Sequence, residues 1–140
     1  MIDFKEVDTE SKEHANVLFE LLDKRKYLIS HKRNTTYKEH LIFFKNNPYR
    51  NWFIIYLDME VIGAAYFTYD NFLGINLIIE DLEIYKKTIS KLIKLVVPLP
   101  PKPSERSNKF CINVSPQNEL LQKALFELNA IQIQSTFKLN

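Results

Sequence analysis

Residues 52 to 67 read WFIIYLDMEVIGAAYF, and this stretch decides the fold. Two runs rich in aromatic and branched residues, 52–57 and 61–67, flank the polar triplet Asp58-Met59-Glu60. Strand-forming residues on both sides of a short polar turn are typical of a β-hairpin. A second turn at Asp70-Asn71 precedes another apolar run, 74–79, so the sequence predicts three consecutive antiparallel strands.

The residues before this meander predict one strand and two helices. Residues 2–7 alternate enough to start a strand, and Thr9 or Ser11 can then cap a helix. Residues Thr36-Tyr37-Lys38-Glu39 fit a capping box, which predicts a second, short helix.

The residues after the meander predict two helices separated by strands. Apolar residues recur at three- and four-residue spacing over 82–96, which predicts a long helix, and four prolines in 98–103 end it and indicate an extended loop. A strand is expected over 110–114, and Ser115-Pro116 is expected to cap the last helix. Apolar and polar residues alternate again over 131–139, which predicts a closing strand.

The predicted order is strand, two helices, three strands, helix, strand, helix, strand. This order indicates an α/β (or α+β) protein whose mixed, mostly antiparallel sheet carries helices on both faces. With 140 residues, 46% of them hydrophobic, the chain has apolar material for one core, so a single domain over residues 1–140 is expected.

Composition excludes several classes of function. Nineteen basic and 17 acidic residues give a net charge of +2, too balanced for a dedicated nucleic-acid binder. The single cysteine, Cys111, lies in an apolar run and is interpreted as a reduced core thiol. No metal-ligand cluster, signal sequence or membrane-length apolar run is visible, so a soluble cytoplasmic protein with no membrane partner and no metal is expected.

Three stretches carry a resemblance to a known family. They are Tyr37 to Phe44, the hairpin residues 52–63, and Asn113 to Glu119 with the helix that follows. Together with the element order, they resemble the GCN5-related N-acetyltransferase (GNAT) family, and the first two are similar to acetyltransferases that act on nucleotide-linked amino sugars. Asn129 stands where the family usually has glycine.

The resemblance implies an enzyme that moves an acetyl group from acetyl-CoA to the amine of a small molecule, for which an amino sugar is one candidate. In such enzymes the pantetheine arm lies between the fourth and fifth strands, where a strand N–H polarises the thioester carbonyl. The residues that this implies for acetyl-CoA binding are Leu77, Ile78, Ile79, Lys86, Lys87, Thr88, Asn113 and Asn118. A homodimer is a reasonable expectation for the family.

Two departures from the family pattern stand out. The pyrophosphate turn of the family contains glycines. In this chain residues 84–89 align with that motif and contain no glycine, since the only glycines are Gly63 and Gly74. The tyrosine that often protonates the leaving thiolate is matched by Leu125 or, one residue on, Phe126. These losses and the acidic run 80–83 favour an alternative: a catalytically inactive GNAT-fold binding or interaction protein that has lost the acetyl-CoA site.

A few side chains remain as candidates for chemistry. His31 lies in a polar segment near the implied acceptor pocket and could supply a base, and Tyr66 on the hairpin could reach the acceptor. Tyr49 and Arg50 could bind a nucleotide-sugar by stacking and by charge. Each also has an ordinary structural reading, as a surface or core residue. The remaining histidines are interpreted as structural (His40) and as helix surface (His14).

Overall fold

The structure, a computed structural model, describes residues 1–25 and 35–140. Within them the elements follow one another as β1 (Ile2–Glu6), α1 (Lys12–Asp23), α2 (Tyr37–Asn46), β2 (Asn51–Leu57), β3 (Glu60–Phe67), β4 (Phe72–Leu77), α3 (Leu82–Leu95), β5 (Cys111–Ile112) and α4 (Glu119–Glu127). The order agrees with the sequence prediction up to α4.

The described strands form one sheet in the order β1-β2-β3-β4-β5. The first four are antiparallel, and β5 pairs with β4 in parallel. The predicted hairpin closes through Asp58 and Met59, whose φ angles of 48° and 72° are both positive. Two positive φ angles in a two-residue loop match the right-handed twist of the strands that the loop joins. The mixed, mostly antiparallel sheet is therefore confirmed.

Helices cover both faces of the sheet, as predicted. One apolar cluster joins α1 and α2 to the sheet through Leu18, Phe44, Trp52 and Ile54. The other lies under α3 and α4 and contains residues such as Phe67, Leu92 and Leu121. The two clusters lie on opposite faces because strand neighbours point in opposite directions, as Phe53 and Ile54 do.

Helix caps agree with the sequence at α1 and α2 but not at α4. Ser11 accepts a hydrogen bond from the His14 amide, and the Thr36–Glu39 capping box is complete. The last helix begins three residues later than Ser115-Pro116 predicts. Asn118 is its N-cap, because the Asn118 Oδ1 atom accepts from the Leu121 amide while the Ser115 hydroxyl donates to Gln117.

The predicted closing strand over 131–139 is wrong in this structure, because residues 130–140 have no regular secondary structure. Asn129, at φ 64°, ends α4 in the left-handed conformation, and the Ala130 amide closes the turn on Leu125. The alternating pattern is present, but β5 offers only two paired residues and no described backbone hydrogen bond joins 131–140 to it.

Candidate active site

The sheet opens between β4 and β5. The two strands pair only at Phe72 with Cys111 and at Leu73 with Ile112, after which β4 continues to Leu77 without a partner on that side. The opening is part of a cleft of about 1050 Å³. Its walls come from β2, β3 and β4, from the residues that follow β5, and from helices on both faces of the sheet. A cleft at a point where neighbouring strands separate exposes backbone that a ligand can pair with.

The exposed edge of β4 presents two backbone N–H groups to this cleft. The Phe72 carbonyl accepts a hydrogen bond from the amide of Thr68, the residue after β3, at 2.9 Å. The Ile78 amide donates to the Ile62 carbonyl of β3 at 2.8 Å. Because alternate residues of a strand direct their N–H and C=O groups to opposite sides, the odd-numbered Ile75 and Leu77 face away from β3. Their amides are therefore available to a carbonyl or thioester lying in the cleft.

The position of the opening is fixed by Asn71, which is fully buried. Its side-chain amide donates to the carbonyls of Leu99 and Ser107, both at 2.9 Å, and its Oδ1 accepts from the Leu99 amide at 2.9 Å. Its own carbonyl accepts from the Cys111 amide at 2.9 Å. One residue thus ties the proline loop and the start of β5 to the start of β4.

Aromatic rings form the other end of the cleft. Tyr49 and Tyr66 stack with ring centroids 3.9 Å apart and planes 12° apart, and Tyr49 also meets Trp52 edge to face at 5.0 Å. All three residues line the cleft. The Tyr66 ring lies across β4 at Gly74, its register partner, where a Cβ atom would coincide with the ring. Gly74 therefore makes room for the aromatic end of the cleft.

The two tyrosines keep their protons at neutral pH. Burial raises the pKa of the Tyr49 phenol, and the nearby Tyr66 raises it further. Burial also raises the pKa of Tyr66, while Tyr49 and the Arg25 guanidinium lower it in part. A phenol with a raised pKa stays protonated and donates hydrogen bonds, and it is a weaker acid than an ordinary phenol. This end of the cleft can therefore donate hydrogen bonds to a polar ligand.

Residues predicted to hold acetyl-CoA divide into two groups. Leu77, Ile78, Asn113 and Asn118 line the cleft, although the Ile78 amide already donates to Ile62. Ile79 packs half-buried against the core.

The α3 residues proposed for phosphate lie outside the cleft lining. Lys86 donates to Glu127 at 3.0 Å and lies 3.6 Å from Glu83, and these contacts, the Glu127 hydrogen bond first, raise its pKa. Lys87 is exposed, whereas Thr88 is fully buried, where a phosphate cannot reach its hydroxyl. The N-terminus of α3 is capped by Asp81, whose carboxylate accepts from the Ile84 amide at 3.0 Å.

The remaining candidates are placed as follows. Tyr49 and Tyr66 come together, but the Arg50 guanidinium points elsewhere and donates to the Val97 carbonyl at 2.7 Å. His31 lies outside the described residues. His40 lines the cleft although it is 1% exposed, and its Nε2 atom donates to the Ala15 carbonyl at 2.8 Å. The prediction that His14 lies on the helix surface is wrong, because the residue is buried. Its Nδ1 atom accepts a hydrogen bond from the Asp8 amide.

Sequence reasoning missed three residues of the site. The sequence identifies Asn71 only as part of a turn. Its left-handed φ of 63° suits asparagine, but no local pattern shows its contacts with Leu99 and Ser107. The sequence identifies Gly74 only as the start of a strand. Arg25 follows α1 and lines the cleft, with no hydrogen-bond partner for its buried Nε atom among the described residues. No local sequence pattern marks its role, because it depends on the distant tyrosines.

Within residues 1–25 and 35–140, no group of three histidine, cysteine, aspartate or glutamate side chains could hold a metal ion. No helix in the same ranges is long and apolar enough to cross a membrane.

Comparison with solved structures places this architecture. An N-acetyltransferase of Campylobacter jejuni, PseH, in complex with acetyl coenzyme A superimposes with a TM-score of 0.62 at 16% identity, over 96% of this chain and 92% of PseH. The chain has the GNAT fold. The aminoglycoside N-acetyltransferase AAC(6')-Iy with CoA gives a TM-score of 0.64 at 16% identity, over 100% and 94% of the two chains.

A third similar structure is a predicted acetyltransferase of Clostridium acetobutylicum with acetyl-CoA, at a TM-score of 0.57 and 15% identity. It covers 100% of this chain and 96% of that protein. No protein-family model and no curated protein sequence matches the chain. The likeness therefore lies in the fold.

Proposed function

We propose that the protein transfers an acetyl group from acetyl-CoA to the amine of a small molecule. The observation that carries this proposal is the separation of β4 from β5 after two residue pairs, which leaves the Ile75 and Leu77 amides facing a large cleft. In this proposal the thioester lies along β4, and one of these amides stabilises the oxyanion that forms when the amine attacks.

The fit to acetyl-CoA differs between the two ends of that molecule. The gap between the strands suits the pantetheine arm, because free strand amides can pair with its amide groups. At the phosphate end, the charged groups proposed for binding are Lys86 and Lys87, and Lys86 already forms an ion pair with Glu127. We therefore propose that the arm supplies most of the affinity and that the two lysines add a weaker electrostatic contribution.

In the transfer itself, a C–N bond forms as the C–S bond breaks. The attacking amine loses one proton, to His31 or to water, and the leaving thiolate gains one. We assign Tyr66 as the proton donor, because its phenol lines the cleft and is protonated at neutral pH, although burial makes it a weaker acid than an ordinary tyrosine. This assignment replaces the family's tyrosine in the last helix, where this chain has Leu125 and Phe126.

For the acceptor, we propose an amino sugar or a related polyhydroxylated amine. The support is the aromatic end of the cleft, because sugar rings stack on aromatic faces and their hydroxyl groups pair with phenols. Asp70 lines the same cleft and can attract an ammonium group. One similar structure, AAC(6')-Iy, is an aminoglycoside N-acetyltransferase, and aminoglycosides carry amines on sugar rings.

The test is calorimetric titration with acetyl-CoA, followed by an acceptor screen that detects the released CoA thiol. Asn113→Trp places a large ring in the cleft and should weaken binding at least tenfold, whereas Lys109→Trp, exposed outside the cleft lining, should leave it unchanged. Cys111 gives each chain one free thiol of its own, which sets the baseline of the thiol assay. No heat and no thermal stabilisation at millimolar acetyl-CoA would refute the proposal and return the alternative of a non-catalytic GNAT-fold protein.

A further inference from the structure

One arginine lines the cleft without a partner from the fold. Arg25 follows α1, and its buried Nε atom has no hydrogen-bond partner among residues 1–25 and 35–140. The ion pairs formed within these ranges do not include its guanidinium. Residues 26–34 contain no aspartate or glutamate, so they cannot supply a carboxylate to it. A guanidinium is always charged, so a position that buries one of its donors unpaired is unfavourable until an acceptor arrives.

The other described arginines, in contrast, hold parts of the fold together. Arg50 donates to the Val97 carbonyl at 2.7 Å. Arg106 donates to the Pro100 carbonyl within the proline loop. Arg25 has no such contact among the described residues. The dipole of α1 favours a cation after its last turn, but it favours an exposed cation as well and does not require the Nε atom to be buried.

The charge of Arg25 acts on the aromatic end of the cleft. Burial raises the pKa of Tyr49 and of Tyr66, and the Arg25 guanidinium lowers the pKa of both in part. Both phenols remain protonated at neutral pH, so neither neutralises the guanidinium. A protonated phenol beside a guanidinium can add a hydrogen bond to the same anion. This end of the cleft therefore combines a positive charge with a neutral donor.

We propose that Arg25 binds a carboxylate of the acceptor, so that the acceptor is a zwitterion, an amine that also carries a carboxylate. The inference rests on the proposed acetyl transfer and adds the charge of its second substrate. A planar guanidinium matches the two oxygens of a carboxylate, and the Tyr49 phenol supplies a further donor. Tyr66 remains for the leaving thiolate, and Asp70 attracts the ammonium group. Amino acids and amino sugars with an acidic substituent both have this chemistry.

The charges along the cleft favour a carboxylate over a phosphate. Among the described residues, two cations and three carboxylates line it: Lys24, Arg25, Glu39, Asp70 and Glu80. A phosphate ester would add about two negative charges to a lining that is already net negative. A carboxylate adds a single charge, and the ammonium group of the same molecule offsets it. The lining therefore suits a molecule with no net charge.

Calorimetric titration with two matched pairs of amines tests the carboxylate. Muramic acid and glucosamine are amino sugars with and without a carboxylate, and lysine and lysinamide are the corresponding pair of amino-acid compounds. We expect the carboxylate member to bind roughly tenfold more tightly in at least one pair, and more tightly than glucosamine 6-phosphate. Equal binding within both pairs, or tightest binding of the phosphate, would overturn the proposal.

Two variants assign the preference to Arg25. Arg25→Gln should bind the carboxylate compound as weakly as the native protein binds its partner without the carboxylate. Lys38→Gln, exposed on α2 outside the cleft lining, should bind it as the native protein does. Arg25→Gln should also keep the native thermal midpoint, because the Nε atom bonds to no described group. An unchanged preference in Arg25→Gln, or a midpoint lowered by more than about 3 °C, would overturn the assignment.

These titrations contain no acetyl-CoA, so their outcome does not depend on the proposed transfer. Acetyl-CoA binding is measured separately and should be equal for the native protein and Arg25→Gln. Failure of the native protein to bind acetyl-CoA refutes the transfer. Normal acetyl-CoA binding without a carboxylate preference refutes this inference alone.

Discussion

Replacing Gly74 by alanine tests the construction of the aromatic end of the cleft. The added Cβ atom would clash with carbon atoms of the Tyr66 ring and would lie 2.5 Å from the Tyr66 hydroxyl oxygen. The ring cannot move aside freely, because it stacks on Tyr49. Overpacking costs about 1–3 kcal/mol and loss of an aromatic stack about 0.5–1.5 kcal/mol, so Gly74→Ala should destabilise the protein by about 2–4 kcal/mol.

A double-mutant cycle isolates this clash. In a Tyr66→Ala background the ring is absent, so adding Gly74→Ala should be close to neutral, with a coupling of about 2 kcal/mol or more. Gly63→Ala is the matched control, since its Cβ atom would meet the backbone carbonyl of Asn76. Its cost should persist in both backgrounds, because backbone does not yield to removal of a distant ring.

Urea unfolding followed by the fluorescence of Trp52 measures all of these variants. Trp52 is the only tryptophan, it is 7% exposed, and it packs against Tyr49, so its emission reports on this region. Equal costs for Gly74→Ala in the two backgrounds, within about 0.5 kcal/mol, would refute the steric explanation. A low cost for Gly63→Ala would show that the sheet relaxes around added methyl groups.

Three further predictions follow from the polar contacts around the cleft. Asn71→Ala removes the hydrogen bonds to the Leu99 and Ser107 carbonyls and from the Leu99 amide, and should lower the free energy of unfolding by about 2–4 kcal/mol. Asn71→Gly should be about 1 kcal/mol less harmful because of the positive φ. A loss below about 1 kcal/mol in urea unfolding would contradict the anchoring role. The pKa of Tyr49 is raised in the folded state, so its contribution to stability is complete below about pH 10 and is lost as the pH rises further. The free energy of unfolding of the native protein should therefore fall more steeply than that of Tyr49→Phe between about pH 10 and 11. Equal slopes for the two proteins would argue against this explanation. Asn118→Ala should lower the free energy of unfolding by about 1 kcal/mol, because the α4 cap is lost. Asn118→Asp should change it little, and thermal unfolding of both variants can check this.

Local patterns predicted those parts of the fold that depend on local interactions. The hairpin of β2 and β3, the Ser11 cap and the Thr36 capping box each arise from residues within a few positions of one another. The α4 cap was misplaced because Ser115-Pro116 and Asn118 offer competing local signals, and only the packing of the helix selects between them. The closing strand failed for a related reason, since a strand needs a partner that the sequence pattern cannot specify.

The candidate site was harder to predict, because its residues are brought together by the sheet. The pairing of Tyr49 with Tyr66 and the contact of Tyr66 with Gly74 depend on strand register. Thr88 and Arg50 are residue types suited to binding phosphate, but neither is placed to do so. Thr88 is buried in the core, and Arg50 donates to the Val97 carbonyl. Residue type alone does not distinguish these uses.

The missing glycines bear on affinity more than on whether the chemistry can occur. The amides that would stabilise the oxyanion belong to Ile75 and Leu77, and their orientation follows from the β3 ladder and from the separation of β4 and β5, which Asn71 fixes. Loss of two charge-assisted hydrogen bonds to phosphate, at about 1.5–3 kcal/mol each, would weaken acetyl-CoA binding by roughly 150-fold to 25,000-fold. A transferase built on this cleft would then bind acetyl-CoA at high micromolar to millimolar concentration, so the titration must extend to that range, and turnover at saturating acetyl-CoA is the measurement that separates weak binding from lost catalysis.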